Sequence, residues 1–245
     1  MFITFLGQVL HAFYVTLLRQ QKCYWPVIWG QIAQIGLNAI PIVMMLNFLV
    51  GIVLTHQGIN TLQEYGQLDK IPHVIAPVYV RYVGALITSL LVAGRSGSAF
   101  TSEIGSMILN QEIDAISVIG VNPMGMIVIP RIIATAIMLP ALVILAIIAG
   151  LLGSIFFASY LVDYSPLTFI STVQELIKLQ TVFLTVLKSF IFGIIIGTIG
   201  CFRGFCVFSN AQVLGSMTTQ SVVECIFWTI VFDGGISTYY SFLDL

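Results

Sequence analysis

Residues 132–162 read IIATAIMLPALVILAIIAGLLGSIFFASYLV and contain no charged side chain. A second uncharged run covers residues 23–63. A helix needs about 20 predominantly apolar residues to cross the hydrocarbon core of a bilayer, and both runs exceed that length. These two segments therefore predict a chain whose solvent is largely lipid.

The composition of the whole chain agrees with a membrane location. Hydrophobic residues make up 58% of the 245 residues and charged residues 8%, and the mean hydropathy is +1.04. Soluble globular domains carry about 25% charged residues. The length leaves room for five or six spans with short connections, and no water-soluble domain fits in the remainder. The net charge of −1 argues against nucleic acid as a partner.

The predicted fold class is an all-α polytopic membrane protein with five transmembrane helices. The hydrophobic spans lie near Ile32–Leu54, Ile71–Gly94, Ile127–Leu161, Thr181–Cys201 and Val222–Phe242. The third span is long enough to tilt or to bend at Pro140. Residues 1–245 are expected to form a single domain.

Residues 1–25 predict an additional amphipathic helix that lies in the membrane interface. Apolar residues recur there at helical spacing, namely Phe2, Leu6, Val9, Leu10, Phe13 and Leu17. The stretch lacks a preceding basic region and a small-residue cleavage site, which argues against a cleaved signal peptide. A frayed terminus is the alternative.

The distribution of Lys and Arg predicts the orientation of the spans. With a cytoplasmic N-terminus, the inner segments carry Arg19, Lys22, Arg95, Arg131 and Arg203. The outer loops carry only Lys70 and Lys178. Positive charge is enriched in cytoplasmic loops, so this orientation is favoured. The C-terminus then lies outside, with Tyr239 and Tyr240 at the outer interface.

The longest inner connection, residues 95–126, contains three acidic residues among spaced isoleucines and methionines. Its polarity predicts a short amphipathic helix that does not cross the membrane, ended by Asn122-Pro123 and Gly125. A helix of this kind on the cytoplasmic side would receive force from a soluble motor. The alternative is a solvated loop that merely connects two spans.

The sequence contains no arrangement that predicts catalysis. There is no G-x-x-x-x-G-K-[ST] phosphate loop, and no Ser-His-Asp or paired-carboxylate arrangement indicates an active site. The four cysteines form no C-x-x-C pair and have no metal-ligand spacing with the three histidines. We expect no catalytic residue, metal or cofactor in this chain. Because the phosphate loop is missing, a soluble motor that uses ATP would have to be another polypeptide.

Three segments resemble the MlaE family of permeases, the membrane subunits of ABC transporters that move phospholipids between bacterial membranes. They are VAGRSGSAFTSEIGSM (Val92–Met107), EIDAISVIGVNP (Glu112–Pro123) and PRIIA (Pro130–Ala134). These match the family pattern A-G-R-x-G-x-A-x-x-x-E-x-G-x-M, then E-Q-I-D-A-L-x-x-M-x-V-x-P, then P-R. Weaker similarity covers most of the chain, including the segment around Lys188.

The resemblance implies a homodimer in which each copy binds an ABC ATPase, the subunit that would use ATP. The residues expected to contact the ATPase are Glu103, Gly105, Met107, Gln111, Glu112 and Asp114. Family members also work with a periplasmic lipid-binding MCE protein, so an MCE protein and phospholipid are further expected partners. The implied location is a bacterial inner membrane, with the plastid envelope as an alternative because it hosts similar permeases.

Apart from Arg131, which is counted with the inner segments, four charged residues fall within the predicted spans: Arg81, Lys188, Glu224 and Asp233. A charge at a helix centre costs about 2.5 to 3.5 kcal/mol on insertion scales, so such residues usually face a bundle interior or a wet cavity. At about 1.5 Å per residue, Arg81 lies roughly 15 Å and Lys188 roughly 10 Å from the outer end. Asp233 also falls in the outer half of the bilayer, whereas Glu224 lies near the cytoplasmic start.

The three outer charges predict one polar site. Arg81 and Lys188 would attract a lipid phosphate while Asp233 orients Lys188, in a cavity with otherwise apolar walls. The alternative is a Lys188–Asp233 ion pair that only ties two helices together, with Arg81 extending outward. Family members commonly have R-E-L-G here, whereas this chain has Arg81-Tyr82-Val83-Gly84. Tyr82 offers a hydroxyl group without a charge.

Gly193 and Gly197 place small residues on one helix face, which favours close helix packing within the subunit or across a dimer.

The predicted function is therefore the permease of an ATP-driven phospholipid transporter. An autonomous secondary carrier or channel is the alternative, but such a carrier would be expected to contain internal repeats and interrupted helices, and no repeat is found. A scaffold that does not transport is a third possibility, and it predicts that the intramembrane charges are dispensable.

Overall fold

The computed structural model describes residues 2–18, 25–208 and 210–242, with side chains for residues 2–14, 27–208 and 210–238. Five helical segments in this part of the chain are long and apolar enough to cross a membrane: Val27–Glu64, Leu68–Leu109, Met124–Val162, Leu179–Phe205 and Ala211–Thr238. The predicted all-α class with five spans is confirmed. Arg19, Lys22, Cys23 and the side chains of Tyr239 and Tyr240 lie outside the described residues.

The helices follow one another with short connections. In chain order they are α1 (Phe2–Leu18), α2 (Trp25–Gly36), α3 (Ile40–Glu64), α4 (Ile71–Val78), α5 (Gly84–Val92), α6 (Ser98–Leu109), α7 (Glu112–Val118), α8 (Ile129–Val162), α9 (Pro166–Leu176), α10 (Leu179–Phe205) and α11 (Ala211–Phe242). Short 3₁₀ turns lie at Leu37–Ala39 and Leu68–Lys70, and π turns at Tyr79–Val83, Ala93–Gly97 and Met124–Val128. The first span thus combines α2 and α3, and the second combines α4, α5 and α6.

The second span is longer than the sequence predicts. The helix continues through the π turn Ala93–Gly97 and ends at Leu109, beyond the predicted end of the apolar segment near Gly94. The hydroxyl of Thr101 donates to the Gly97 carbonyl at 3.1 Å, which keeps a polar side chain satisfied within the helix. At about 1.5 Å per residue a helix of this length measures roughly 60 Å, about twice the thickness of the hydrocarbon core. One end of this helix must therefore extend beyond the hydrocarbon.

The connection between the second and third spans is correspondingly shorter than the predicted residues 95–126. After Leu109 the chain turns at Gln111, which has a φ of 59°, and α7 follows immediately. Gly120, with a φ of 84°, comes directly after the end of α7. Gly125 does not end a helix, because it lies in the π turn that opens the third span. The connection therefore contains one free-standing short helix, α7, while α6 belongs to the second span.

A helix that is absent from the sequence prediction, α9, lies between the third and fourth spans. It begins with Pro166 at its first turn, and Phe169 is fully enclosed there. Phe169 joins a cluster with Ile59, Ile71 and Ile75 from the first and second spans. Proline after Ser165, followed by apolar residues at helical spacing, is the sequence signal that indicates this helix.

The third span packs closely against its neighbours because glycines remove side chains at the contacts. A Cβ atom on Gly51 of α3 would collide with the Gly150 carbonyl of α8. On the other side, a Cβ on Gly193 of α10 would lie 2.7 Å from the Ala136 Cα atom of α8. Of the 18 most apolar consecutive residues in each span, 50% are buried in the third and fourth spans, against 22% in the first and 17% in the fifth. The third and fourth spans therefore form the centre of the bundle.

Helix α1 packs at one end of the bundle. The ring centroids of Phe2 and Phe5 lie 5.0 and 5.4 Å from that of Phe202, near the end of α10. Phe5 is buried, whereas Ile3 and Leu10 are 84% and 66% exposed. The expected N-terminal helix is present, and its location at a membrane interface stays a prediction.

The alternation of the spans defines the two ends of the molecule. The end that contains α1 and α7 also carries Arg131 and Arg203 near the ends of their spans, and we name it the α7 end. The opposite end carries Lys70, Lys178 and α9, and we name it the α9 end. The cytoplasmic location of the α7 end is inferred from this distribution of Lys and Arg between the two ends. That location stays a prediction.

Candidate functional site

The π turn Tyr79–Val83 interrupts the second span and carries Arg81. Tyr79 anchors this turn to α3, because its hydroxyl lies 2.9 Å from the Asn47 side-chain oxygen and 3.0 Å from the Asn47 carbonyl. A Cβ atom on Gly150 of α8 would collide with the Tyr79 ring, so the absence of a side chain at Gly150 makes room for this contact. π turns occur frequently at functional sites. Packing from two other spans therefore holds the turn in place.

Lys188 and Asp233 form an ion pair between α10 and α11. The Lys188 Nζ atom lies 2.7 Å from the Asp233 Oδ1 atom, and the two side chains are 1% and 13% exposed. Lys188 Nζ also donates to the Arg81 carbonyl at 2.9 Å. The structure thus brings together three of the charged residues that the sequence places at similar depth. Lys188 is fully enclosed by these contacts.

Arg81 itself keeps its guanidinium group unpaired. Its side chain is partly buried, and within the described part of the chain no side chain forms an ion pair or hydrogen bond with it. Tyr82 is also partly buried, and Lys188 Nζ lies 5.7 Å from the centre of its ring. The residues joined by these contacts, Arg81, Lys188 and Asp233, comprise two cations and one anion, so together they carry a net positive charge. A partly open cation of this kind suits an anionic ligand.

Thr185, which is not among the predicted site residues, also contacts the π turn. Its hydroxyl lies 3.1 Å from the Val80 carbonyl and 3.0 Å from the Thr181 carbonyl. Thr185 precedes Lys188 by three residues on α10, so both side chains lie on the same helix face. That spacing is the only sequence signal that points to Thr185.

Glu224 does not join this site. It pairs with Arg203 toward the α7 end, where Arg203 Nε donates to Glu224 Oε2 at 2.7 Å. Arg203 also donates to the Gln220 side chain at 3.1 Å. This second ion pair links α10 to α11 at a different depth from Lys188 and Asp233.

The residues expected to contact an ATPase divide into two groups. Glu103, Gly105 and Met107 lie on α6, and a Cβ atom on Gly105 would collide with Leu214, so this glycine faces the bundle. Glu103 is paired with Arg131 at 2.8 Å. The second group consists of Gln111, Glu112 and Asp114, which are all exposed in and just before α7.

The exposed surface at α7 also contains apolar side chains. Val118 and Ile119 are 87% and 78% exposed at the end of α7. Together with the acidic side chains of Glu112 and Asp114 they form a surface that we name the α7 surface.

Gly193 and Gly197 both lie against α8 of the same chain. A Cβ atom on Gly197 would lie 3.0 Å from the Ile132 Cα atom, and one on Gly193 would approach Ala136 as described above. Of the two contacts that the sequence leaves open, packing within the subunit is the one that this chain contains.

This fold and this site define a multi-pass helical membrane protein with a charged group buried among its spans. A family model described as Permease MlaE matches residues 28–239. The chain belongs to this family, in agreement with the resemblance carried by its motifs.

Individual relatives agree with this assignment. A probable ABC transporter permease protein of Synechocystis sp. is 34% identical over 196 residues, which cover 80% of this chain and 74% of the relative. A probable ABC transporter permease protein of Pyropia yezoensis is 29% identical over 209 residues, covering 85% and 80%. The protein TRIGALACTOSYLDIACYLGLYCEROL 1, chloroplastic, of Arabidopsis thaliana is 26% identical over 219 residues, covering 89% and 63%.

The chain is therefore a transporter permease of the ABC type. It is the membrane-spanning subunit of such a transporter and not the catalytic one. A permease of this type implies a separate ATPase as its partner.

Proposed function

We propose that this permease moves phospholipid between its membrane and a periplasmic lipid-binding protein of the MCE class, as a homodimer driven by a separate ATPase. The observation that carries the proposal is the unpaired guanidinium group of Arg81, a residue whose backbone carbonyl accepts a hydrogen bond from the buried, ion-paired Lys188. Membership of the MlaE family supports it.

A phospholipid matches the chemistry of this site. A guanidinium group binds a phosphate through two parallel hydrogen bonds, and Arg81 is the cation of the group that lacks an acidic partner among the described residues. The surrounding helices are apolar, and the first and fifth spans bury little of their surface within the chain. Such surfaces suit acyl chains or a second copy of the permease. Tyr82, Lys188 and Asp233 are the neighbouring residues of the proposed headgroup site, in which Arg81 is the contact to the phosphate.

The α7 surface suits the ATPase. Val118 and Ile119 expose apolar area in a connection between spans, next to the exposed acids Glu112 and Asp114. Exposed apolar side chains rimmed by charged ones are typical of protein interfaces. We assign the contact to Gln111, Glu112 and Asp114 directly, and to Glu103, Gly105 and Met107 through the packing of α6.

The proposed orientation has the N-terminus and the α7 end in the cytoplasm and the C-terminus in the periplasm. A bacterial inner membrane is the proposed location. The plastid envelope is the alternative, because one relative is described as chloroplastic.

Purification from the native membrane tests the proposal. The chain is extracted in a gentle detergent, and mass spectrometry identifies the proteins and lipids that accompany it. We expect an ATPase, an MCE protein and bound phospholipid, and we expect Arg81→Ala to lose most of the lipid. Lys178→Ala removes an exposed cation at the α9 end and serves as the matched control, which should retain the lipid.

Two results would contradict the proposal. A solitary protein that catalyses flux without ATP would instead support an autonomous carrier. Equal lipid recovery from the Arg81→Ala variant, the control and the unmodified chain would mean that Arg81 is not part of a headgroup site.

A further inference from the structure

The irregular backbone around Arg81 receives hydrogen bonds from α10. In a π turn the backbone hydrogen bonds lengthen to five residues, and here the Gly84 N–H donates to the Tyr79 carbonyl. Two further carbonyls of the turn accept hydrogen bonds from side chains: Val80 from Thr185 and Arg81 from Lys188. Irregular backbone at membrane depth is tolerated only where such partners satisfy it.

Lys188 is poorly placed to bind a lipid itself. Its side chain is 1% exposed, and its ammonium group already contacts the Asp233 carboxylate and the Arg81 carbonyl. The rings of Tyr82 and Phe192 have their centres 5.7 and 5.9 Å from the same atom. Contact with a phosphate would require Lys188 to leave two charge-assisted contacts at once.

We propose that Thr185 and Lys188 are positioning residues for Arg81. They hold the π turn in the shape that presents the guanidinium group to a phosphate, and neither side chain contacts the lipid. This inference rests on the proposed function of Arg81 as the headgroup contact. It adds Thr185 to the functional residues and assigns Lys188 a different task from that of Arg81.

Lipid affinity in a double-mutant cycle tests this inference. The permease is purified with its ATPase, and binding of added phosphatidylglycerol is measured by native mass spectrometry. We expect Arg81→Ala to weaken binding tenfold or more, since a charge-assisted contact is lost, and Thr185→Val to weaken it about fivefold. Thr185→Ser retains the hydroxyl and is the matched control, with affinity close to that of the unmodified chain.

The decisive measurement combines Thr185→Val with Arg81→Ala. If Thr185 acts through Arg81, the second substitution causes no further loss of affinity in the Arg81→Ala background. A purely structural role would instead cause the same fivefold loss in both backgrounds, which would overturn the inference.

Lys188 is tested by the paired substitution Lys188→Met with Asp233→Asn, which avoids an unpaired buried charge. We expect weaker binding in the unmodified background and no further loss with Arg81→Ala. A further loss there would mean that Lys188 contacts the lipid, contrary to the inference.

The single variants separate this inference from the proposed function. Unchanged affinity with Thr185→Val, alongside a loss with Arg81→Ala, would overturn the positioning role and leave the headgroup site in place. Unchanged affinity with Arg81→Ala would overturn both.

Discussion

Glu103 Oε2 accepts a hydrogen bond from Arg131 Nη2 at 2.8 Å, which links α6 to α8. Arg131 is 8% exposed, and its Nη1 atom also donates to the Ile127 carbonyl at 3.1 Å. The pair joins two of the sequence segments that resemble the MlaE family. It therefore fixes the extension of the second span, and the α7 connection that follows, against the start of the third span.

Removing the Glu103 charge should destabilise the permease. In Glu103→Gln the largely buried Arg131 loses its anionic partner, and we expect the free energy of unfolding to fall by about 1.5–3 kcal/mol, the value of a hydrogen bond to a charged group. Thermal unfolding of the purified protein measures this. Glu175→Gln, on the exposed surface of α9, is the control and should change stability by less than about 0.5 kcal/mol. Equal stability of the two variants would mean that the ion pair contributes nothing.

The Lys188–Asp233 pair makes a different prediction about stability. Lys188→Met leaves a largely buried carboxylate without its cation, and breaking such a pair typically costs about 3–5 kcal/mol. The double variant with Asp233→Leu removes both charges and should recover most of this loss. Unfolding in detergent compares the two proteins. A double variant as unstable as the single one would show that the loss comes from packing and not from an uncompensated charge.

Much of the fold could be predicted from the sequence because the membrane imposes simple rules. Long uncharged runs specify the spans, and the rarity of intramembrane charges indicates that Arg81, Lys188 and Asp233 face the bundle interior or a wet cavity. The contact between Lys188 and Asp233 belongs to both of the arrangements that the sequence leaves open.

The details of the site could not be predicted, for a physical reason. A π turn depends on contacts from other helices, such as Tyr79 packing over Gly150, and these contacts leave no local pattern in the sequence. The hydrogen bond from Thr185 to Val80 joins residues 105 positions apart. The full length of the second helix does not follow from the apolar run, because Arg95 interrupts that run while the helix itself continues.

The contact between α8 and α10 should not tolerate a methyl group at Gly193. A Cβ atom there would lie 2.7 Å from both the Ala136 Cα atom and the Thr135 carbonyl oxygen, so backbone would have to move in Gly193→Ala. We expect a loss of about 1–3 kcal/mol, as for overpacked cores. Gly215→Ala makes the same substitution in α11, where nothing lies within 4 Å, and should be neutral or slightly stabilising. Thermal unfolding that ranks the two variants in the opposite order would contradict the close packing.

Cys206 follows the fourth span directly, and its environment predicts slow reaction with maleimide. Burial raises the pKa of its thiol, and the nearby Arg203 charge offsets this only in part. Because the thiolate is the reactive form, less of it is present at a given pH than for an exposed cysteine. In single-cysteine variants, the rate for Cys206 should therefore rise at a higher pH than the rate for Ser117→Cys on exposed α7. A midpoint at or below that of the α7 cysteine would contradict this account.

Cysteine labelling also tests the orientation of the bundle. The variants Ser117→Cys and Gln174→Cys place an exposed thiol on α7 and α9, at opposite ends of the spans. Both are made in a chain whose native cysteines are replaced by alanine or serine. With the α7 end in the cytoplasm, a membrane-impermeant maleimide should label Gln174→Cys in right-side-out vesicles and Ser117→Cys in inverted ones. The reverse pattern would place the α7 surface outside, away from any cytoplasmic ATPase. Ser117 follows the second span and Gln174 follows the third, so one membrane crossing separates them. Labelling of both variants from the same side would therefore contradict the five-span topology itself.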